Sequence, residues 1–402
     1  MGSKTVVVLP GSQWQVPLVQ KCKSMGLRTL VVNPYPDSPA FAYADGHLQS
    51  DIFDLERVAR YCRAEGADAV VSDQCDIAVP AVAELGKRLS LPAITPECAR
   101  LFTDKFEMRA FCEAQGLPFP EYRLCRTVGE AESFFDRLGT RMVLKPLDSC
   151  SSRGVFTVSK REDIGRLFQQ SLSFSKVDRA VLAERYIEGT EFTVDGVRTP
   201  QRHYSLAVSE KRHFAHNPNI ACDLYFSHRN ARFDYDQLKR QNDLLVELSP
   251  LHWGLTHAEY KFENGKFYLI EIGARGGGNL ISSHIVPYLS GIDTYRYLLD
   301  CSVGSVSSPA FQIQERYQDR CAILRFFDVP ENGGTVSRIE GEERLSSGKE
   351  IAAYQFHFAP GSVIEKAKTD SDRAGFYIAC CETERELRGV MEDVRRNVRI
   401  VC

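Results

Sequence analysis

Over its first hundred residues the chain alternates short apolar runs with helical ones, and that alternation restricts what it can fold into. "TVVVL" (5–9), "RTLVVNP" (28–34) and "ADAVVSD" (67–73) have the length and β-branched content of buried strands. "VPLVQKCKSMG", "FDLERVARYCRAEG" and "IAVPAVAELGKRLS" carry apolar residues at helical spacing, and the first two end on Gly26 and Gly66. Strands alternating with helices predict a doubly wound parallel sheet. Only Gly11 follows the first strand, in "LPGSQW", so the glycine fingerprint of a dinucleotide site is missing and a dehydrogenase is disfavoured.

Beyond residue 100 the pattern becomes α+β. "DKFEMRAFCEAQGLPFPEY" predicts a helix closed by Gly116, Pro118 and Pro120. "RMVLKPLDSCSSRGVFTV" (141–158) reads as strand, loop, strand, and "EDIGRLFQQSLSFS" as a helix. "AVLAERYIEGTEFTVDGVRT" holds two strands around Glu188-Gly189, and 200–240 reads as strands with long loops. "TYRYLLDCSVG" is helical, and 320–402 is strand-rich with turns at "ENGG" and "APGS" before a final helix at 382–396.

The segment "THAEYKFENGKFYLIEIGARGGG" ends its second apolar run on Glu271, an awkward residue for a packed strand. "ENG" between two apolar runs signals a hairpin, for which two turns compete. A two-residue Asn264-Gly265 turn pairs Phe262 with Phe267 and sends Glu259 and Glu271 to opposite faces. A three-residue turn over 263–265 gives one face of Tyr260, Phe262, Tyr268, Ile270 and Ile272, and another of Glu259, Lys261, Leu269 and Glu271. The cleaner split favours the three-residue turn. Two carboxylates on neighbouring strands repel unless a cation lies between them. Hard oxygen ligands suit Mg²⁺, which completes its shell with water and phosphate oxygens, with Mn²⁺ as an alternative; a solvated hairpin face is the competing account.

The bulk numbers set limits. A net charge of −3 creates no global field for nucleic acid or a membrane. No apolar stretch approaches the roughly 18 residues of a membrane span. "MGSKTVVVLPGS" lacks a secretory pattern, and Val6 breaks the myristoylation pattern. Thirteen Cys with no C-x-x-C pair suggest reduced thiols and a cytoplasmic protein. Cys150 lies in the small-residue loop after Lys145, where backbone N–H groups can face phosphates.

Five motifs in order, "TDKFEMRAFCEAQGLPFP", "VLKPLDSCSSRGV", "LAERYIEGTEFTVDG", "HAEYKF" and "LIEIGARGGG", resemble the ATP-grasp superfamily over the whole chain. The sequence looks most like the carboxylate–amine ligases, with "DRAGFYIACCETERE" similar to biotin-carboxylase-type C-terminal regions. The resemblance implies a doubly wound domain (1–100), a small ATP-grasp subdomain with a lid loop (101–190), a large one with the metal site (191–308) and a strand-rich C-terminal α+β subdomain (309–402). It implies ATP bound by Lys105 and Lys145 on the α- and β-phosphates, with Ser152 and Gly154 in the lid. Glu184 would read the adenine amino group, the backbone of Tyr186 and Ile187 would form the hinge, and Glu191 would hold the ribose. Glu259 and Glu271 would hold Mg²⁺, and Arg275 would face the transferred phosphoryl group. The implied reaction joins a small carboxylate to an amine through an acyl phosphate, releasing ADP and phosphate. Alternatives are a ligase activating bicarbonate and a nucleotide-binding module without turnover. A homodimer is compatible with this reading.

Two positions depart from the family pattern. Gly273 stands where an asparagine usually joins the metal, leaving water or Asn279 to substitute, and the lid is serine-rich rather than glycine-rich. The glycines 276–278 are expected to let a carboxyl phosphate approach the backbone. The stretch 198–229 is rich in Arg, His and aromatics and is expected to shape the acceptor pocket. Lys211, Arg212 and His228, with His284, are its candidate carboxylate holders.

Overall fold

The structure, a computed structural model, describes residues 3–147, 149, 153–175 and 178–402, and of Asn219 the backbone. Cys150 and Ser152 lie outside the described residues. Strands β1 (Thr5–Val8), β2 (Arg28–Asn33), β3 (Gly46–Gln49) and β4 (Ala69–Val71) form the expected parallel sheet, in the order β3-β2-β1-β4. β3 has alternating half-buried and exposed residues and carried no apolar signal. Gly26 and Gly66 take φ of 72° and 64° just past the first two helices, and Ser90 does the same at 55° after the third. The strand order reverses between β1 and β4, so a crevice opens beyond their carboxyl ends. The loops leaving those strands bring Trp14 and Gln15, and Asp73 to Asp76, into it.

A second sheet is antiparallel. β5 (Tyr122–Cys125), β6 (Met142–Pro146), β7 (Phe156–Val158) and β8 (Val181–Arg185) run in the order β5-β8-β6-β7. Phe134 and Phe168, from the helices Val128–Leu138 and Ile164–Leu172, join Met142, Leu144 and Ala183 in one core.

The third sheet has eight antiparallel strands and gives the site its floor. It is drawn from β9 (Thr190–Arg198), β10 (His203–Phe214), β11 (Asn217–Ser227), β12 (Gly254–Glu263), β13 (Lys266–Gly273) and β14 (Cys321–Phe326). The chain continues through β15 (Gly334–Thr335), β16 (Arg338–Glu340), β17 (Ile351–Phe356), β18 (Val363–Ile364), β19 (Gly375–Cys381) and β20 (Arg399–Val401). The sheet order is β13-β12-β9-β10-β11-β14-β19-β17, with β15-β18 and β16-β20 as separate ribbons. The region 200–240, expected as strands with long loops, is two long strands and the start of a helix, Tyr235–Leu248. Asp234 caps that helix by accepting from the Gln237 N–H at 2.9 Å. Val6 and Val8 of the parallel sheet share a core with Leu206, Phe226 and Phe326 of the large one. That shared core holds the crevice against the sheet.

The hairpin β12–β13 corrects the expected turn. Asn264 and Gly265 have φ of 50° and 80°, a two-residue turn, and Phe262 pairs with Phe267. Continued unbroken, that register would oppose Glu259 to Ile270. Instead Ile270 is left without a partner across the strands, and Glu259 pairs with Glu271. This one-residue bulge restores the parity that the turn removes. The two glutamates do share a face, by a device different from the one expected. The core face is Tyr260, Phe262, Phe267, Leu269 and Ile272, so Tyr268 and Ile270, both expected there, lie outside that core, and Leu269, expected opposite, lies in it.

The bulge is held by a buried arginine. Arg109, on the helix Lys105–Ala114, donates from Nη2 to the Ile270 carbonyl at 2.5 Å and from Nε to Glu184 at 2.7 Å. Glu184 also holds Lys145 at 2.6 Å, so one charge cluster ties both antiparallel sheets to the bulge. Arg109→Met should therefore lower stability in urea unfolding by about 3–5 kcal/mol, the cost of breaking a buried pair; a change under about 1 kcal/mol would show that other contacts hold the bulge. Gly265→Ala should cost about 1–2 kcal/mol through backbone strain alone, because nothing lies within 4 Å of an added Cβ.

Candidate active site

A cavity of about 410 Å³ lies where the crevice meets the large sheet. The crevice supplies Trp14, Gln74 and Asp76; the hairpin and its exit supply His257, Glu259, Glu271, Gly273 and Arg275; later segments supply Phe326, Asp370 and Arg373. A larger groove of about 840 Å³, around Arg212, His228, Arg320 and Arg388, contains neither glutamate.

Charge is arranged in pairs around the cavity. Lys211 donates to Glu191 at 2.5 Å and to Glu259 at 3.3 Å. Lys105 donates to Glu271 and to the Ser149 carbonyl, each at 2.8 Å. His257 Nδ1 lies 3.0 Å from Asp195. Burial disfavours the charged imidazole, but Asp195 and Glu259 outweigh it and bring its pKa up to about 9. Burial likewise works against the Glu259 carboxylate, and Lys211 and His257 overcome it and hold its pKa well below the usual range.

Glu259 and Glu271 thus offer hard oxygens from one face into one cavity, a donor set that fits Mg²⁺ with water and phosphate completing its shell. Among the described residues no group of three or more His, Cys, Asp or Glu is arranged to hold an ion. The missing asparagine has a structural reason. A Cβ at Gly273 would fall 2.8 Å from Asp76 Oδ1, because Asp76 occupies that space in a fork with Arg275, at 2.8 and 2.6 Å. Asn279 lines the same cavity.

The glycine run also has a reason other than the one expected. The Gly276 N–H donates to Asp73 at 2.7 Å, and the Gly277 N–H to Asp195 at 2.9 Å. An added Cβ would lie 2.9 Å from the Asp73 oxygen and 2.6 Å from the Asp195 oxygen, respectively. Asp73 further accepts from Ser282 at 2.5 Å and Tyr295 at 2.7 Å. Burial raises its pKa, and these donors offset that only in part. Only Gly278 is open, and it lines the cavity.

Several other expected residues do not line this cavity. Both oxygens of the Glu184 carboxylate are taken by Arg109 and Lys145, so its side chain holds a lysine rather than standing free for an adenine amino group. The cations of Arg141 and Lys261 lie over the Tyr186 ring, at 4.4 and 4.5 Å from its centroid, and Ile187 is buried. Gly154 has φ of 76° and packs where a Cβ would press on Phe174 and Pro146.

The expected acceptor residues separate. Lys211 lines the cavity but is committed to two glutamates. Arg212 pairs with Asp223 at 2.6 Å and, with His228, lines the larger groove. His284 is not among the cavity residues; it lies 2.8 Å from the Ser283 hydroxyl, and burial lowers its pKa.

Four residues were missed. Arg109 follows Lys105 by four on one helix face, and His257 precedes Glu259 by two on one strand face, so periodicity could have found both. Asp76 follows a parallel strand at the point where the order reverses. For Arg373 we find no signal in the sequence.

Residues 138–284 match the ATP-grasp domain family, and 325–402 match L-amino acid ligase C-terminal domain 2. Among curated relatives, D-alanine–D-alanine ligase of Marinobacter nauticus is 36% identical over 94 residues, 23% of this chain and 28% of that one. Dapdiamide A synthase of Enterobacter agglomerans is 23% identical over 264 residues, 63% of this chain and 61% of that one. The chain thus spans less than two thirds of these relatives. The crystal structure of an L-amino acid ligase from Bacillus licheniformis superposes with a TM-score of 0.84 at 19% identity, covering 100% of this chain and 99% of that one. The biotin carboxylase domain of the Hydrogenobacter thermophilus 2-oxoglutarate carboxylase gives 0.77 at 15%, covering 99% and 90%. The chain thus carries an ATP-grasp domain over residues 138–284 and an L-amino acid ligase C-terminal domain 2 over residues 325–402.

Proposed function

We propose that the protein is an ATP-dependent ligase that joins a small carboxylate to an amine through an acyl phosphate, with ADP and phosphate as products. The observation that carries this reading is the convergence of Glu259, Glu271 and Arg275 on one cavity, with Lys105 beside Glu271. The relatives named D-alanine–D-alanine ligase and dapdiamide A synthase support it.

Lys105 and Lys145 would bind the α- and β-phosphates, and Glu184 would position Lys145. The backbone of Tyr186 and Ile187 would hold the adenine, Glu191 the ribose, and Ser152 and Gly154 would belong to the lid. Glu259 and Glu271 would hold Mg²⁺ or Mn²⁺, whose part is to neutralise charge on the terminal phosphates. Arg275 is oriented by its fork with Asp76 and would stabilise charge as it develops on the transferring group. The substrate carboxylate attacks that group and ADP leaves. The amine then attacks the activated carbonyl and phosphate departs.

With ¹⁸O in the substrate carboxylate, one label should appear in the released phosphate; pyrophosphate, or label in AMP, would mean adenylation instead. A bicarbonate-activating enzyme would release phosphate only when bicarbonate is supplied. Lys145→Ala should weaken ATP binding by about 1.5–3 kcal/mol, the worth of a charge-assisted contact, and calorimetry showing unchanged affinity would remove Lys145 from the site. Arg275→Ala should depress kcat far more than ATP affinity, because its interaction strengthens in the transition state. Equal losses in both would assign it to nucleotide binding alone.

A further inference from the structure

The strands that floor the cavity carry a second charged surface on their other face. Side chains alternate along a strand, so Lys211, Leu224 and Leu324 line the cavity while Arg212 and Arg325 line a depression of about 280 Å³ behind it. The final helix, Glu384–Asn397, closes that depression with Arg388, Met391, Glu392 and Arg395, which recur at helical spacing. Four arginines thus face one glutamate, in a chain whose net charge is −3. The depression shares no residue with the catalytic cavity.

Like charges gathered in this way repel, and freely solvated arginines would turn apart. Here two of the four are fixed from below. Asp223, only 1% exposed, accepts from Arg212 Nε at 2.6 Å and from Arg325 Nη1 at 3.0 Å. Gripped through Nε, Arg212 keeps both Nη groups without a hydrogen bond among the described residues, and its side chain is half exposed. Arg395 has no ion pair among the described residues. Arg388 is held only by Glu384, one turn away on the same exposed helix face.

A guanidinium fork matches the oxygens of a phosphate. One phosphate monoester carries about −1.5 to −2 charges at pH 7, so two linked phosphates answer the positive excess that one leaves unmet. A neighbouring recess of about 300 Å³ shares Arg325 and Arg395 and is walled by Phe327, Tyr377 and Val398, which leaves room for an organic group joined to those phosphates.

We propose that this depression binds a diphosphate group, free or as the end of a nucleotide, at a place separate from the catalytic cavity. Calorimetry of the full chain with pyrophosphate, in the absence of metal, reads it directly. One site per chain is expected, with orthophosphate weaker by about tenfold or more, because fewer forks are engaged. Arg388→Gln and Arg395→Gln, at exposed positions and with helix-forming side chains, should each weaken pyrophosphate by about tenfold or more. Arg396→Gln removes the same charge from the same helix but lies outside both recesses, and should change affinity by less than about twofold.

A wild-type protein that does not bind pyrophosphate would overturn the proposal, as would orthophosphate binding equally well. Unchanged affinity in Arg388→Gln and Arg395→Gln would place the ligand elsewhere, and an equal loss in Arg396→Gln would mean diffuse attraction; either result also sinks the site. GDP separates the two sources. Binding tighter than pyrophosphate that Arg395→Gln weakens puts a nucleotide base in the neighbouring recess, whereas binding no tighter identifies the free diphosphate as the ligand.

Discussion

The geometry of the site depends on one unpaired residue in an edge strand. The turn at Asn264-Gly265 sets a register in which Glu271 would face away from Glu259, and the bulge at Ile270 cancels that error. A bulge needs its freed backbone groups satisfied. Here the Ile270 carbonyl is met by Arg109, which lies on another element and is itself neutralised by Glu184. The position of a prospective metal ligand is therefore set by a helix, a strand of the smaller sheet and a hairpin acting together. The same Glu184 steadies Lys145, so the prospective metal and phosphate groups share one buried support.

A second constraint is electrostatic. Arg275 and Asp76 are 199 residues apart, yet they form a bidentate fork at the mouth of the hairpin. The space an asparagine would need at Gly273 is filled by that carboxylate. The departure from the family pattern at Gly273 thus accompanies a contact supplied by the N-terminal domain. The cavity is lined from three directions, and each sends charged groups into it: Asp76, the hairpin glutamates, and Arg373.

Local periodicity made much of this legible. The parallel sheet and its helices followed from alternation, as did the core residues Tyr260 and Phe262. Strand β3 and the helix Tyr235–Leu248 were not seen, because one is half exposed and the other begins inside a charged, aromatic stretch. The facing glutamates were inferred from a turn that the chain does not use. Ile270 reads as an ordinary alternating residue, and its bulge is enforced by Arg109, which is remote in sequence. Asp76 escaped for a related reason: its partner, Arg275, lies 199 residues away.

The backbone after Glu271 is approached from both sides. Two acidic oxygens, one from the segment after β4 and one from β9, rest on the amides of Gly276 and Gly277 at distances that exclude a side chain. The run is consequently among the more tightly held parts of the chain. Its residues are also interdependent in descent: a change at Gly276 would require Asp73 and Ser282 to give way, and one at Gly277 would require Asp195 and Ile281 to do so. Gly278, with open space beside it, is the one position of the three where substrate preference could drift without disturbing that lock.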